Sequence, residues 1–239
     1  PLIPISNTYI PMKTKIPHLI LAGLFGISTA HAATVIAIDD TGGARLYDTS
    51  QSGSGNSLNT TAAINVGTKS NNAGWDMHGG FVFQMTGAAN GYLEAADFSV
   101  SATGGQGQSA YNIDLYANRV SSSATFQNND FENFDSLIME DFWVVNDGLG
   151  NFSLDATGQA NLLSYLQNNW VENDYVFFTL KLDTAPSFST GDGAVDANTI
   201  FGSAGNNDAL LIITVPEPSS TALLGLGGLA LMLRRKRSA

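Results

Sequence analysis

Between Tyr175 and Leu182 the chain reads Tyr-Val-Phe-Phe-Thr-Leu-Lys-Leu, and its side chains sort by twos. Val176, Phe178, Leu180 and Leu182 point one way and Tyr175, Phe177, Thr179 and Lys181 the other, which is the period of an extended strand. Aromatic residues on both faces at its start predict a strand buried on two sides. Shorter apolar or alternating runs recur near Thr34–Ile38, Ala62–Val66, Gly80–Thr86, Ala95–Val100, Tyr111–Tyr116, Leu137–Val145 and Leu210–Val215, separated by clusters of Gly, Ser, Asn and Asp. That spacing predicts an all-β sandwich or barrel. One stretch breaks the period: Leu162, Leu163, Leu166 and Trp170 recur at three and four residues, and Asp155 or Thr157 stands where a cap belongs. A single amphipathic helix over 155–169 is expected to cover an open end of the sandwich. Ser50–Thr61, Lys69–Gly74 and the polar, Gly-Asp-rich Thr184–Asn207 read as loops. His78, in Trp-Asp-Met-His-Gly-Gly, reads as a surface or turn residue rather than a catalytic one.

The two ends of the chain carry different instructions. Residues 1–11 precede Met12, which reads as the true start, so 1–11 are expected to be a non-native extension. Lys13 and Lys15, the nine apolar residues Leu19–Ile27 and the small residues Ala30 and Ala32 around His31 follow in the order of a secretory leader over 12–32, with cleavage expected after Ala32. At the other end Ser219–Leu233 is an uncharged run rich in Leu, Ala and Gly, followed by Arg234, Arg235, Lys236 and Arg237. As a helix it spans roughly 22 Å against a bilayer core of about 30 Å, short but aided by snorkelling cations. The cations stay cytoplasmic and leave the body of the chain outside. Val215, Pro216, Glu217 and Pro218 precede this run as a rigid extended tetrapeptide, because proline fixes its own φ and restricts its predecessor.

Motif, apolar run and basic end together resemble the PEP-CTERM sorting signal of Gram-negative bacteria that make exopolysaccharide. The resemblance covers residues 215–237. It implies processing by a membrane transpeptidase-like enzyme, exosortase, with the protein anchored by its C-terminal helix and then held at the cell surface or released.

The intervening body, 33–214, is long enough for one domain with a full core. It holds four cations, Arg45, Lys69, Arg119 and Lys181, against twenty carboxylates, a net charge of −16. Such a field favours solubility and disfavours nucleic acid or anionic membrane as a partner. The absence of cysteine excludes thiol catalysis and thiolate metal sites. Carboxylates on glycine-permitted turns suit a structural Ca²⁺: Asp39 and Asp40 before Gly42-Gly43, and Asp192 with Asp196 in the Gly-rich loop. For a glycan, Trp75 among Asn71, Asn72, Gly74 and Asp76 is the candidate ring, read as a loop residue, while Trp143 and Trp170 read as core.

Phe81-Val82-Phe83, Ala96-Asp97-Phe98, Ile113-Asp114-Leu115-Tyr116, the helix, Asp174–Phe178 and Leu211-Ile212-Ile213 are similar in order to the jelly-roll modules of many PEP-CTERM proteins and to carbohydrate-binding-like sandwiches of the DNRLRE type. That resemblance implies a single jelly-roll sandwich with one short inserted helix. The expected function is a non-catalytic surface or matrix protein associated with exopolysaccharide or biofilm. A specific carbohydrate-binding module is the alternative, and a glycan hydrolase the remaining one.

Overall fold

The computed structural model describes residues 33–49, 55, 57–60, 63–69, 75–88, 92–106, 112–144, 147–183, 197–203 and 209–216. For Thr68, Lys69, Trp75, Gly105, Gln106, Ala197, Asn198 and Ser203 it describes the backbone alone. All belong to one compact unit, Ala32–Pro218. The expected leader over 12–32 with Ala30 and Ala32, the apolar run 219–233, the basic cluster Arg234–Arg237, Glu217, Pro218, Asp192 and Asp196 lie outside the described residues. No helix among the described residues is long and apolar enough to cross a membrane.

Thirteen strands and one α-helix are described. In chain order they are β1 Ala33–Asp39, β2 Gly42–Asp48, β3 Ser57–Asn59, β4 Ala63–Lys69, β5 Trp75–Gln84, β6 Ala95–Ala102 and β7 Gly104–Gln106. There follow β8 Asn112–Ser121, β9 Ser136–Val144, β10 Gly150–Ser153, α1 Ala156–Asn169, β11 Tyr175–Leu182, β12 Ala197–Ser203 and β13 Ala209–Pro216. All strand pairs are antiparallel. The smaller sheet runs β1-β13-β6-β10, and the larger one contains β5-β11-β8-β9. Among those eight strands the first pairs the last, the second the seventh, the third the sixth and the fourth the fifth. This nested pairing is the connectivity of a jelly roll. The additional strands β4, β12 and β7 extend the larger sheet beyond β5, and β2 and β3 branch from it.

The sandwich interior is aromatic. Phe98 of the small sheet meets Phe81, Phe83, Phe142 and Phe178 of the large one, with ring centroids 5.6 to 6.0 Å apart. Around this cluster pack Ile113, Leu115, Trp143, Val176, Leu180, Leu211 and Ile213, all fully buried. Helix α1 lies on β6 and β9 and so bridges the two sheets, burying Leu162, Tyr165 and Leu166. Asp155 caps it by accepting from the Gly158 amide at 2.7 Å. Trp143 is core, as expected, and Trp170 is partly buried against the same cluster at the helix C-cap.

A second, smaller cluster covers the outer face of the large sheet: Ala44, Leu46, Val82, Phe126, Phe131 and Phe177. This is why β11 is apolar on both sides. Val176 and Phe178 face the interior, and Phe177 lies under Phe126, centroids 4.9 Å apart. Gly79 and Gly80 permit both approaches. A Cβ on Gly79 would sit within 2.8 Å of Ile64 and Val66, and one on Gly80 within 2.7 Å of the Phe126 ring.

Two segments read as loops contain strands. β3 lies within Ser50–Thr61 and β12 within Thr184–Asn207, and β2, β7 and β10 fall where the sequence pattern predicts no strand. These strands are rich in Gly, Asn and Ser, and neighbouring strands on the sheet rather than local propensity hold them extended. Truncating Phe98 to Ala removes the ring shared by both sheets. The expected cost is about 3–5 kcal/mol, read as a lower denaturant midpoint in equilibrium unfolding, while Val35→Ala on the exposed edge leaves the midpoint near that of the parent.

Candidate functional site

The open groove between α1 and the start of β9 has a volume of about 470 Å³ and is lined by Asp135, Ser136, Leu137, Asn161, Ser164, Tyr165, Asn168 and Asn169. On the helix, Asn161, Ser164, Tyr165 and Asn168 recur at i, i+3, i+4 and i+7, which places them in one stripe. Each asparagine amide nitrogen donates to a backbone carbonyl: Asn161 to Ile138 at 3.0 Å, Asn168 to Ser164 at 2.8 Å and Asn169 to Tyr165 at 2.9 Å. Facing a carbonyl fixes which end is NH₂, so each Oδ1 is left as the acceptor. The Tyr165 hydroxyl donates to Asp135 Oδ2 at 3.1 Å. Burial, then the Asp135 charge, push that hydroxyl well above the usual phenol range, so it stays a neutral donor. Leu137, 41 % exposed, adds an apolar surface to the lining. A set of fixed amide oxygens and hydroxyls beside one aliphatic patch is suited to a ligand rich in hydroxyl groups and with one apolar face.

The residues singled out from the sequence lie elsewhere. Trp75 is not in a loop: its backbone opens β5 and pairs with Lys69, because β4 and β5 continue as a ladder. Its ring lies outside the described side chains. Asp39 is exposed at the end of β1, whereas Asp40 is buried, with Oδ1 facing the Ala209 amide at 3.4 Å. Among the described residues no three His, Asp or Glu side chains converge as a metal site. His78 is not a surface residue either. It lies within β5 and is 3 % exposed, stacked on the Phe131 ring at 3.9 Å with an interplanar angle of 1°. Its Nδ1 is 3.0 Å from the Phe131 carbonyl oxygen and its Nε2 3.5 Å from Asp76 Oδ2. The alternation of β5 turns His78 to the outer face, where the 3-10 turn Asn128–Phe131 covers it. Asp130 holds that turn down. It accepts from Arg119 Nε at 2.7 Å and Nη2 at 3.0 Å and from the Gln127 amide at 2.8 Å.

A second polar region lies where β8, β9 and β11 meet. Asp114 is buried there; Oδ1 accepts from the Asp141 amide at 2.9 Å and Oδ2 from the Tyr116 hydroxyl at 3.3 Å. Burial, reinforced by the charges of Asp183 and Asp141, raises the Asp114 carboxyl above its usual range. Tyr116 is pushed up to about 12, by burial first and then by Asp114. Lys181 is the nearby cation, 5.4 Å from the Tyr116 ring and 5.1 Å from the Phe134 ring.

At the C-terminal end of the small sheet, β13 closes with Val215 and Pro216, paired with Thr34 and Ala33. Residues 214–237 match the PEP-CTERM protein-sorting motif. This PEP-CTERM segment marks an exported protein that an exosortase-type enzyme sorts, with membrane anchoring through the C-terminal region. No curated protein matches the chain.

The groove carries no sequence motif, and its only signal is the polar stripe on α1. The Asp114 region, by contrast, makes a pH-dependent prediction. A native carboxyl raised above its unfolded value binds its proton more tightly in the fold, so stability is lost as pH rises from the ordinary carboxylate range through the raised one. Asp114→Asn keeps an acceptor for the Asp141 amide without the charge. It is expected to melt higher than the parent at pH 7, with the gap closing toward pH 4, in paired thermal melts.

Proposed function

We propose that this chain is a non-catalytic protein of the cell surface or extracellular matrix, and that the groove between α1 and β9 binds a neutral, hydroxyl-rich glycan such as a segment of exopolysaccharide. The observation that carries the reading is the lining of that groove: three asparagine oxygens oriented by their own amide bonds, two serines, a neutral tyrosine and an exposed leucine. Fixed acceptors lose little freedom when a sugar hydroxyl docks. The body's net charge of −16 favours a neutral glycan over an anionic one. The resemblance to carbohydrate-binding-like sandwiches of the DNRLRE type, and the nested strand order, agree with such a role.

The hydrolase alternative finds less support. Glycoside hydrolysis uses two carboxyl groups about 5–9.5 Å apart across the sugar, and among the described residues Asp135 is the one carboxylate lining the groove, already bonded to Tyr165.

The test is calorimetric titration of the purified mature chain with neutral polysaccharides and with exopolysaccharide extracted from the source bacterium, with and without EDTA. Saturable binding is expected, weakened about tenfold in Ser164→Ala/Asn168→Ala, a loss of the size of one or two hydrogen bonds, at unchanged melting temperature. A folded sample that binds none of them overturns the glycan reading and leaves display in the matrix as the role to test. Binding lost in EDTA adds Ca²⁺, with Asp39, Asp40, Asp192 and Asp196 as the carboxylates to substitute.

A further inference from the structure

The sorting motif does not begin beyond the folded body; its first residues are part of a sheet. The matched segment starts at residue 214, and Thr214, Val215 and Pro216 are the last three residues of β13. On one edge they pair with the start of β1: Thr214 with Val35, Val215 with Thr34 and Pro216 with Ala33. On the other edge the ladder with β6 ends at Thr214 opposite Ala95, closed by the Glu94 amide donating to the Thr214 carbonyl at 2.8 Å. Ala33 and Thr34 are therefore the strand partners of Val215 and Pro216 among the described residues.

An enzyme that cuts or rejoins a peptide bond takes its substrate as an extended segment, commonly pairing with the backbone as an added strand. Val215 and Pro216 meet β1 along one edge, and that edge has to be freed before an enzyme's groove can close around them. Building on the reading of the tail as an exosortase substrate, we infer that Ala33–Val35 form a latch over the sorting motif, and that the processing enzyme docks by displacing them and pairing with Thr214–Pro216 in their place.

The ladder is built to open at this end. Ala33, Thr34 and Val35 are exposed, Val35 at 66 %, so lifting them uncovers little apolar surface. The Thr214 carbonyl faces the β6 side, so the backbone of Pro216, two residues on, faces away from β1, and the pair of Pro216 with Ala33 adds no backbone hydrogen bond to the ladder. Further along, Ile38 is buried opposite Leu211, which stops the opening. Under the expected leader cleavage after Ala32, Ala33 is a free end and nothing upstream holds the latch closed.

The chain has no cysteine, so a lock can be placed cleanly. Val35→Cys/Thr214→Cys puts two thiols on directly opposed residues of an antiparallel pair, a geometry a disulfide can span. The full-length variant is incubated with membranes that contain the exosortase, and tail removal is followed by intact mass. The reduced form is expected to be processed at the parental rate and the oxidised form at least tenfold more slowly. In a second arm, Thr34→Pro/Val35→Pro removes the amide that faces β13, and several-fold faster processing is expected. Equal rates in the two redox states, or no acceleration by the prolines, overturn the latch while leaving the sorting reading in place. A parent chain whose tail is never removed overturns the sorting reading and the latch with it.

Discussion

Phe98 is the contact on which the sandwich depends. It is the ring of the small sheet that reaches across to four rings of the large one. Tilted and edge-on packing at these separations satisfies the quadrupole of each ring and fills the space between two pleated surfaces without polar atoms. Everything else in the fold arranges itself to keep that layer dry. The helix α1 spans β6 and β9, where the sheets would otherwise gape. At the other side the strand that carries Phe98 continues through Thr103 into β7, whose pairing with β12 joins it to the large sheet. With no disulfide to close loops, such continuity of backbone pairing has to confine the chain.

The outer cluster answers a different requirement. A strand as apolar as β11 cannot leave Phe177 facing water, so residues 122–135 fold over it, and the scarce cations are used where they hold that cover. Arg119 stands 4.0 Å over the Phe177 ring and binds Asp130 with two nitrogens. One guanidinium thus meets both an aromatic face and a buried carboxylate, which a lysine's point charge would not match. His78 belongs to the same cover. Its stacking on Phe131 and its carbonyl partner describe a packing residue of the outer face.

Strong local signals were legible where side-chain period and burial agree. Tyr175–Leu182 has the bounds read from its alternation, and α1 has the cap and buried stripe its leucines predict. Weak signals failed where tertiary partners override local preference. Gly42-Gly43 looks like a turn beside two aspartates, yet it opens β2 because β5 offers it a pairing edge. The polar stretch around Ala197–Ser203 looks like a loop, yet β4 and β7 hold it extended on both sides. Trp75 looks like a loop ring from its Asn and Gly neighbours, yet the ladder between β4 and β5 makes it a strand residue.

The groove and the latch share one origin. Asn161, Ser164 and Asn168 are ordinary surface residues until β9 is laid beside α1, and Val215 and Pro216 are an ordinary linker until β1 is laid beside β13. The sequence by itself determined the destination, because a sorting motif is read as an extended string of side chains, and it determined the β class, because alternation is a property of neighbouring residues. Which polar groups face one another, and which strand covers the motif, were decided only by the tertiary structure. Those juxtapositions join positions as far apart as Ala33 and Pro216, and long-range pairing depends on the whole set of strands closing together rather than on any local run.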